Sequence, residues 1–161
     1  MSLNLDAIRA QFPLEQAIFF DNPAGTQVPR RVVDAVSHYY LTMNANSGGV
    51  FSTSQRTDAM VEDTRAKVAD FLNAPSPDEV VLGPNMTTLN FSLSRALAKT
   101  LKPGDEIVLT RMDHDANVAP WLRIAEDHGL VVRWVDIRTA DCTLDMDSLE
   151  AALTDRTKVV A

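Results

Sequence analysis

From about residue 79 onward, short apolar runs alternate with longer segments of helical spacing, and this alternation most narrows the possible fold. Residues 79–82, 106–110, 130–135 and 158–161 read as strands. Residues 86–99, 118–128 and 147–153 carry apolar positions at helical spacing between them. Lys102-Pro103-Gly104-Asp105 and Gly129 punctuate two of the helix-to-strand returns. Strands that alternate with helices pair in parallel, and the helices cover the sheet's faces. The expected fold class is α/β, a mainly parallel sheet with helices on both faces.

The first part of the chain is less regular. A short helix to about Phe12 is stopped by Pro13, and Ile18-Phe19-Phe20 reads as a short strand. The turn-rich string Asp21-Asn22-Pro23-Ala24-Gly25 follows. Pro29 suits a first helical turn, with Val32, Val33, Val36, Tyr40 and Met43 in helical register behind it. Residues 44–54, which include Gly48-Gly49, read as a loop. A helix over 55–72 comes next, with Met60, Val61, Thr64, Val68 and Phe71 expected inward.

Composition excludes some partners. The formal net charge of −7 argues against nucleic acid and anionic membrane surfaces, both of which are held by Lys and Arg. It leaves room for a small phosphorylated ligand, because backbone amides bind phosphate without net positive charge. No apolar run approaches the roughly 20 residues that span a bilayer. Cys142 is the only cysteine, so no intrachain disulfide can form. The opening MSLNLDAIRA lacks the apolar core of a signal peptide, and a cytoplasmic location is expected.

Two strand-to-helix turns carry candidate chemistry. In Gly83-Pro84-Asn85-Met86-Thr87-Thr88, free amides and the positive end of a helix dipole meet two hydroxyls, an arrangement suited to phosphate. The plainer reading is that Thr87 or Thr88 caps the helix. Met112-Asp113-His114-Asp115-Ala116-Asn117 follows the 106–110 strand, at the sheet's carboxyl edge where α/β proteins bind ligands. His114 there can stack on a cofactor, move protons or simply pair with its flanking aspartates. Asp113, His114 and Asp115 are too closely spaced for a tridentate metal site, and no metal is expected. Cys142, Trp121 and Trp134 read as residues without a catalytic role.

Three colinear segments resemble one family. Phe19-Phe20-Asp21-Asn22-Pro23-Ala24-Gly25 resembles the N-terminal string of class V aminotransferases and cysteine desulfurases. MDHDANVAPW is similar to the desulfurase segment EHHANIVPW, and NMTTLNFSL stands where the family has its phosphate segment GTTEGINLV. The resemblance runs from Ile18 to the end of the chain. It implies a fold-type-I enzyme dependent on pyridoxal 5′-phosphate (PLP), desulfurase-like or aminotransferase-like, acting on a small-molecule amino acid. By the same resemblance, Met86, Thr87 and Thr88 form the phosphate segment, with the Met86 and Thr87 amides and the Thr87 hydroxyl as donors. His114 would stack on the pyridine ring and serve catalysis, Asn117 would lie near the ring's O3′ side, and Ala24 and Gly25 would line the substrate carboxylate pocket.

The resemblance also implies a homodimer and, for a desulfurase, a sulfur-acceptor protein. Residues 1–30 would be an N-terminal segment and 31–161 part of the PLP-binding large domain. The apolar run Lys158-Val159-Val160-Ala161 is expected to lie inside a sheet that continues beyond it. The lysine that carries PLP and the aspartate that pairs with its pyridine nitrogen would then follow Ala161, so these 161 residues alone are expected to be inactive. Desulfurase, aminotransferase, epimerase and lyase chemistries remain open. So does a PLP-independent α/β enzyme for a phosphorylated metabolite.

Overall fold

The computed structural model describes residues 3–13, 18–23 and 25–161, which form two compact units, Met1–Val81 and Leu82–Ala161. The first unit is helical. Helix α1 (Leu5–Arg9) is capped by the Asn4 side chain, and its exit meets α2 (Arg30–Thr42) through the Arg30 amide, which donates to the Gln11 carbonyl at 2.8 Å. Helix α3 (Ser52–Leu72) ends at Asn73, whose left-handed φ of 55° allows the Ala74 amide to return to the Ala69 carbonyl.

The first turns of α3 hold the glycine loop. Ser54 donates to the Asn46 carbonyl at 2.6 Å and accepts from the Gly49 amide at 2.7 Å. Thr57 donates to the Met43 carbonyl, and both carboxylate oxygens of Asp58 accept from the Gly48 amide. Ser54, Thr57 and Asp58 share one helical face at i, i+3 and i+4, so one stripe of side chains satisfies a loop that lacks its own ladder.

Two expected strands of this unit do not form. Residues 18–20 are irregular, and Ile18 and Phe20 are exposed. Residues 80–82 follow a 3₁₀ turn (Pro77–Glu79) that is opened by Pro77 and capped by Ser76. An apolar run becomes a strand only where a neighbouring strand pairs with its backbone groups, and neither run has one among the described residues; the Val80 carbonyl instead accepts from Arg65 Nε at 3.1 Å. Phe71 is exposed on α3, and Ala69 is the buried apolar residue there, beside the buried Ser54 and Thr57.

The second unit is the α/β part. Strands β1 (Glu106–Thr110), β2 (Val131–Val135) and β5 (Thr157–Val160) form a parallel sheet in the order β2-β1-β5. Helices α4 (Met86–Ala98), α5 (Ala119–His128) and α6 (Met146–Ala152) accompany it, and β3 (Ile137–Arg138) pairs antiparallel with β4 (Thr143–Leu144). Cys142 is exposed in the turn between β3 and β4, at φ 58°. Among the described residues no helix is long and apolar enough to cross a membrane.

Central strand β1 serves two cores because its side chains alternate between faces. Ile107 and Leu109 pack with Ala98 of α4 and with Trp121, Ile124 and Ala125 of α5. Val108 points the other way, to Val135 and to Ala152 of α6. The sheet is therefore covered on both faces, as its near-continuous apolar sequence requires.

At the amino end of β1, Glu106 is wholly covered, yet it is charged. Arg133 holds it with two hydrogen bonds of 2.7 and 2.8 Å, Thr154 donates at 2.7 Å, and Arg156 lies at 2.9 Å. The Arg133 bonds, then the Thr154 bond, pull its carboxyl from 4.5 down to about 2. A depressed carboxylate pKa adds stability that is full above the unfolded value of 4.5 and is lost as pH falls through about 2. Glu106→Gln is expected to lower the thermal midpoint at neutral pH and to flatten its fall across that acid window. Thermal melts of both proteins as a function of pH check this, and superimposable pH profiles would refute it.

Candidate active site at the carboxyl edge of the sheet

Helix α4 begins at a glycine-dependent approach. A Cβ on Gly83 would lie 2.6 Å from Leu89 Cδ2, so the chain passes close over its own helix before turning into it. The cap is then made by Asn85 and not by either threonine. Asn85 Oδ1 accepts from the Thr88 amide at 2.9 Å, and its carbonyl takes the Leu89 amide. Asparagine is the better cap, since its carbonyl reaches the N3 amide from extended backbone.

This leaves the Met86 and Thr87 amides and the Thr87 hydroxyl without partners among the described residues. The first turn of this 13-residue helix carries no acidic side chain. The resulting cluster of free donors at a positive helix end is suited to an anion. Thr88 differs from Thr87, because its amide is spent on Asn85.

The turn after β1 carries the other candidates. Asp115–Asn117 form one 3₁₀ turn, and exposed His114 caps it by accepting the Ala116 amide on Nδ1 at 3.0 Å. A ring nitrogen that accepts from a backbone N–H is unprotonated, so the neutral imidazole carries its proton on Nε2. Asp113 is turned back to the strand, where it accepts from the Thr110 hydroxyl. A shallow pocket lined by Thr110, Arg111, Asp113, Asp115, Val118 and Trp134 opens beside this turn.

Helix α4 and the His114 turn meet through one side chain. Asn90 Nδ2 donates to Asn117 Oδ1 at 2.9 Å and to the Ala116 carbonyl at 3.1 Å. Asn117 Oδ1 also faces Trp121 Nε1 at 3.5 Å, and its Nδ2 reaches Asp113 at 3.4 Å. Met86, Thr87, Thr88, His114 and Asn117 thus belong to two adjoining turns of one compact unit. Gly25 lies in the first unit, where its amide closes a turn onto the Asn22 carbonyl, and Ala24 lies outside the described residues. Sequence reasoning missed Asn90 and the Asn85 cap. The available signals were an asparagine directly before the helix and a polar residue inside the apolar string LNFSL.

These two turns lie at the carboxyl edge of a parallel sheet, the place where open α/β proteins bind ligands. A family model for class-V aminotransferases matches residues 18–161. A probable cysteine desulfurase of Streptomyces coelicolor is 36% identical over 99% of this chain and 41% of its own length. The aminotransferase-like protein FGM3 of Gibberella zeae is 32% identical over 99% of the chain and 41% of its own. The apo structure of a cysteine desulfurase from Thermococcus onnurineus superposes with a TM-score of 0.86 at 32% identity, covering 99% of this chain and 40% of that one. The chain belongs to the class-V aminotransferase family, fold-type-I enzymes whose cofactor is PLP. It spans about two fifths of the length of the curated relatives it matches.

Proposed function

We propose that the full-length protein is a PLP-dependent enzyme acting on an amino acid, cysteine desulfurase-like or class-V aminotransferase-like. The observation that carries this reading is the unspent donor cluster at the start of α4, adjoining the His114 turn within a chain of this family. The Met86 and Thr87 amides and the Thr87 hydroxyl would bind the cofactor's phosphate, with Thr88 completing the turn that presents them. His114 would lie against the ring and carry an exchangeable proton on Nε2. Asn117 Nδ2 donates one proton to Asp113, and its second N–H would serve the ring's O3′ side. Ala24 and Gly25 would line the pocket for the substrate carboxylate.

Bound PLP supplies an electron sink for charge that develops at the α-carbon of an amino acid. The protein's share would be to hold that group and to move protons at His114. The enzyme would act as a cytoplasmic homodimer and, as a desulfurase, would pass sulfur to an acceptor protein. Its relatives carry both desulfurase and aminotransferase-like names, so the substrate is best decided by assaying sulfide release from cysteine against amino-group transfer.

The phosphate assignment has its own test. A hydrogen bond to a charged group contributes about 1.5–3 kcal/mol. Thr87→Val in the full-length protein is therefore expected to weaken PLP binding by about ten- to a hundred-fold. Fluorescence titration of the cofactor-free protein reads this directly. Unchanged affinity would overturn the assignment.

A further inference from the structure

We propose that Asn90 is a positioning residue, which fixes the imidazole of His114 relative to the start of α4 without itself touching a ligand. This rests on the PLP reading for its consequence in catalysis, but the device itself is a property of the chain alone. Asn90 lies four residues after Met86, hence on the same helical face one turn further in, and its Nδ2 approaches Met86 Sδ at 3.7 Å. Its two N–H groups are both spent on the His114 turn, one on the Ala116 carbonyl and one on Asn117 Oδ1. Ala116 is buried, and its own amide donates to His114 Nδ1. The imidazole is therefore connected to α4 through a single residue held at both its carbonyl and its amide.

The clamp is reinforced from behind. Asn117 Oδ1 takes the Asn90 bond and faces Trp121 Nε1, and Trp121 is only 3% exposed in the core. Asn117 Nδ2 meets Asp113, which is bonded to Thr110 at the end of β1. The polar groups thus form one connected path from α4, through the His114 turn, to the strand and to α5. A half-buried carboxamide with both donors committed across 26 and 27 residues is costly to leave half-satisfied, so it specifies one arrangement. No other side-chain hydrogen bond among the described residues joins α4 to this turn.

Two readouts test this, one independent of the cofactor. In the cofactor-free full-length protein, imidazole ¹⁵N spectra are expected to show His114 as a single Nε2–H tautomer. Asn90→Leu, which keeps volume and removes both donors, is expected to give averaged nitrogen shifts. In the wild type, cross-peaks from the Asn90 side-chain amide to Ala116 and Asn117 provide the same check without a variant. A fixed tautomer in Asn90→Leu, or absent cross-peaks, would overturn the clamp whether or not PLP binds.

In the PLP-loaded enzyme, Asn90→Leu is expected to lower kcat by about ten- to a hundred-fold, as a misplacement near 1 Å does, with little change in cofactor affinity. In a His114→Phe background the same substitution is expected to add almost nothing, since both changes act through one ring. Fully additive losses would assign Asn90 a packing role only. Failure of the wild type to take up PLP would sink the functional reading alone, because the tautomer measurement stands apart from it.

Discussion

His114→Phe in the full-length protein is expected to retain PLP while slowing turnover by about 10²- to 10⁴-fold, the usual worth of a positioned acid–base group. Phenylalanine keeps a flat ring of similar size, so the face offered to the cofactor survives. It has no Nε2 proton to exchange, and it cannot accept the Ala116 amide that His114 Nδ1 takes at 3.0 Å. Cofactor absorbance and steady-state rates, measured on the same preparation, separate the two effects. Full turnover in His114→Phe would reduce the residue to a capping role, and loss of PLP would show that its polar contacts dominate retention.

Trp121→Ala is expected to destabilise the folded protein by about 3–5 kcal/mol. The indole is 3% exposed and packs with Ile107, Leu109, Ile124 and Ala125, so its removal leaves a cavity between α5 and the sheet. The same change withdraws the Nε1–H group that faces Asn117. Urea unfolding measures the loss, and Trp121→Phe, which refills most of the space, should recover the larger part of it. A loss below about 1 kcal/mol would mean that the helix collapses onto the strand without strain.

Much of the α/β unit was legible because its elements are bounded by strong local signals. β1 lies between Pro103-Gly104-Asp105 and the His114 turn, and it is buried along four consecutive residues, so its run had no competing reading. The starts of α4 and β2 were clear for the same reason. Residues 18–20 and 79–82 have equally apolar sequences but no neighbouring strand among the described residues, and pairing is not written into a single segment. β3 and β4 hold two residues each, below any periodicity. The site divides likewise. His114 and the α4 start stand out by their local setting, whereas Asn90 gains its meaning from partners 26 and 27 residues away.

The strand order β2-β1-β5 has a consequence for how the chain acquires its structure. Val108 pairs with Arg133 on one side and Val160 on the other, so both neighbours of β1 are synthesised after it. Until they arrive, the most deeply buried strand of the unit stands with two open edges, a template for association with other chains. Loop-closure entropy favours the nearer partner, so β2 would dock before β5. The Thr154–Glu106 contact, across 48 residues, then closes the larger loop. Aggregation during synthesis would therefore be governed by the interval between β1 and its second neighbour, and chaperones that shield strand edges would act within that interval.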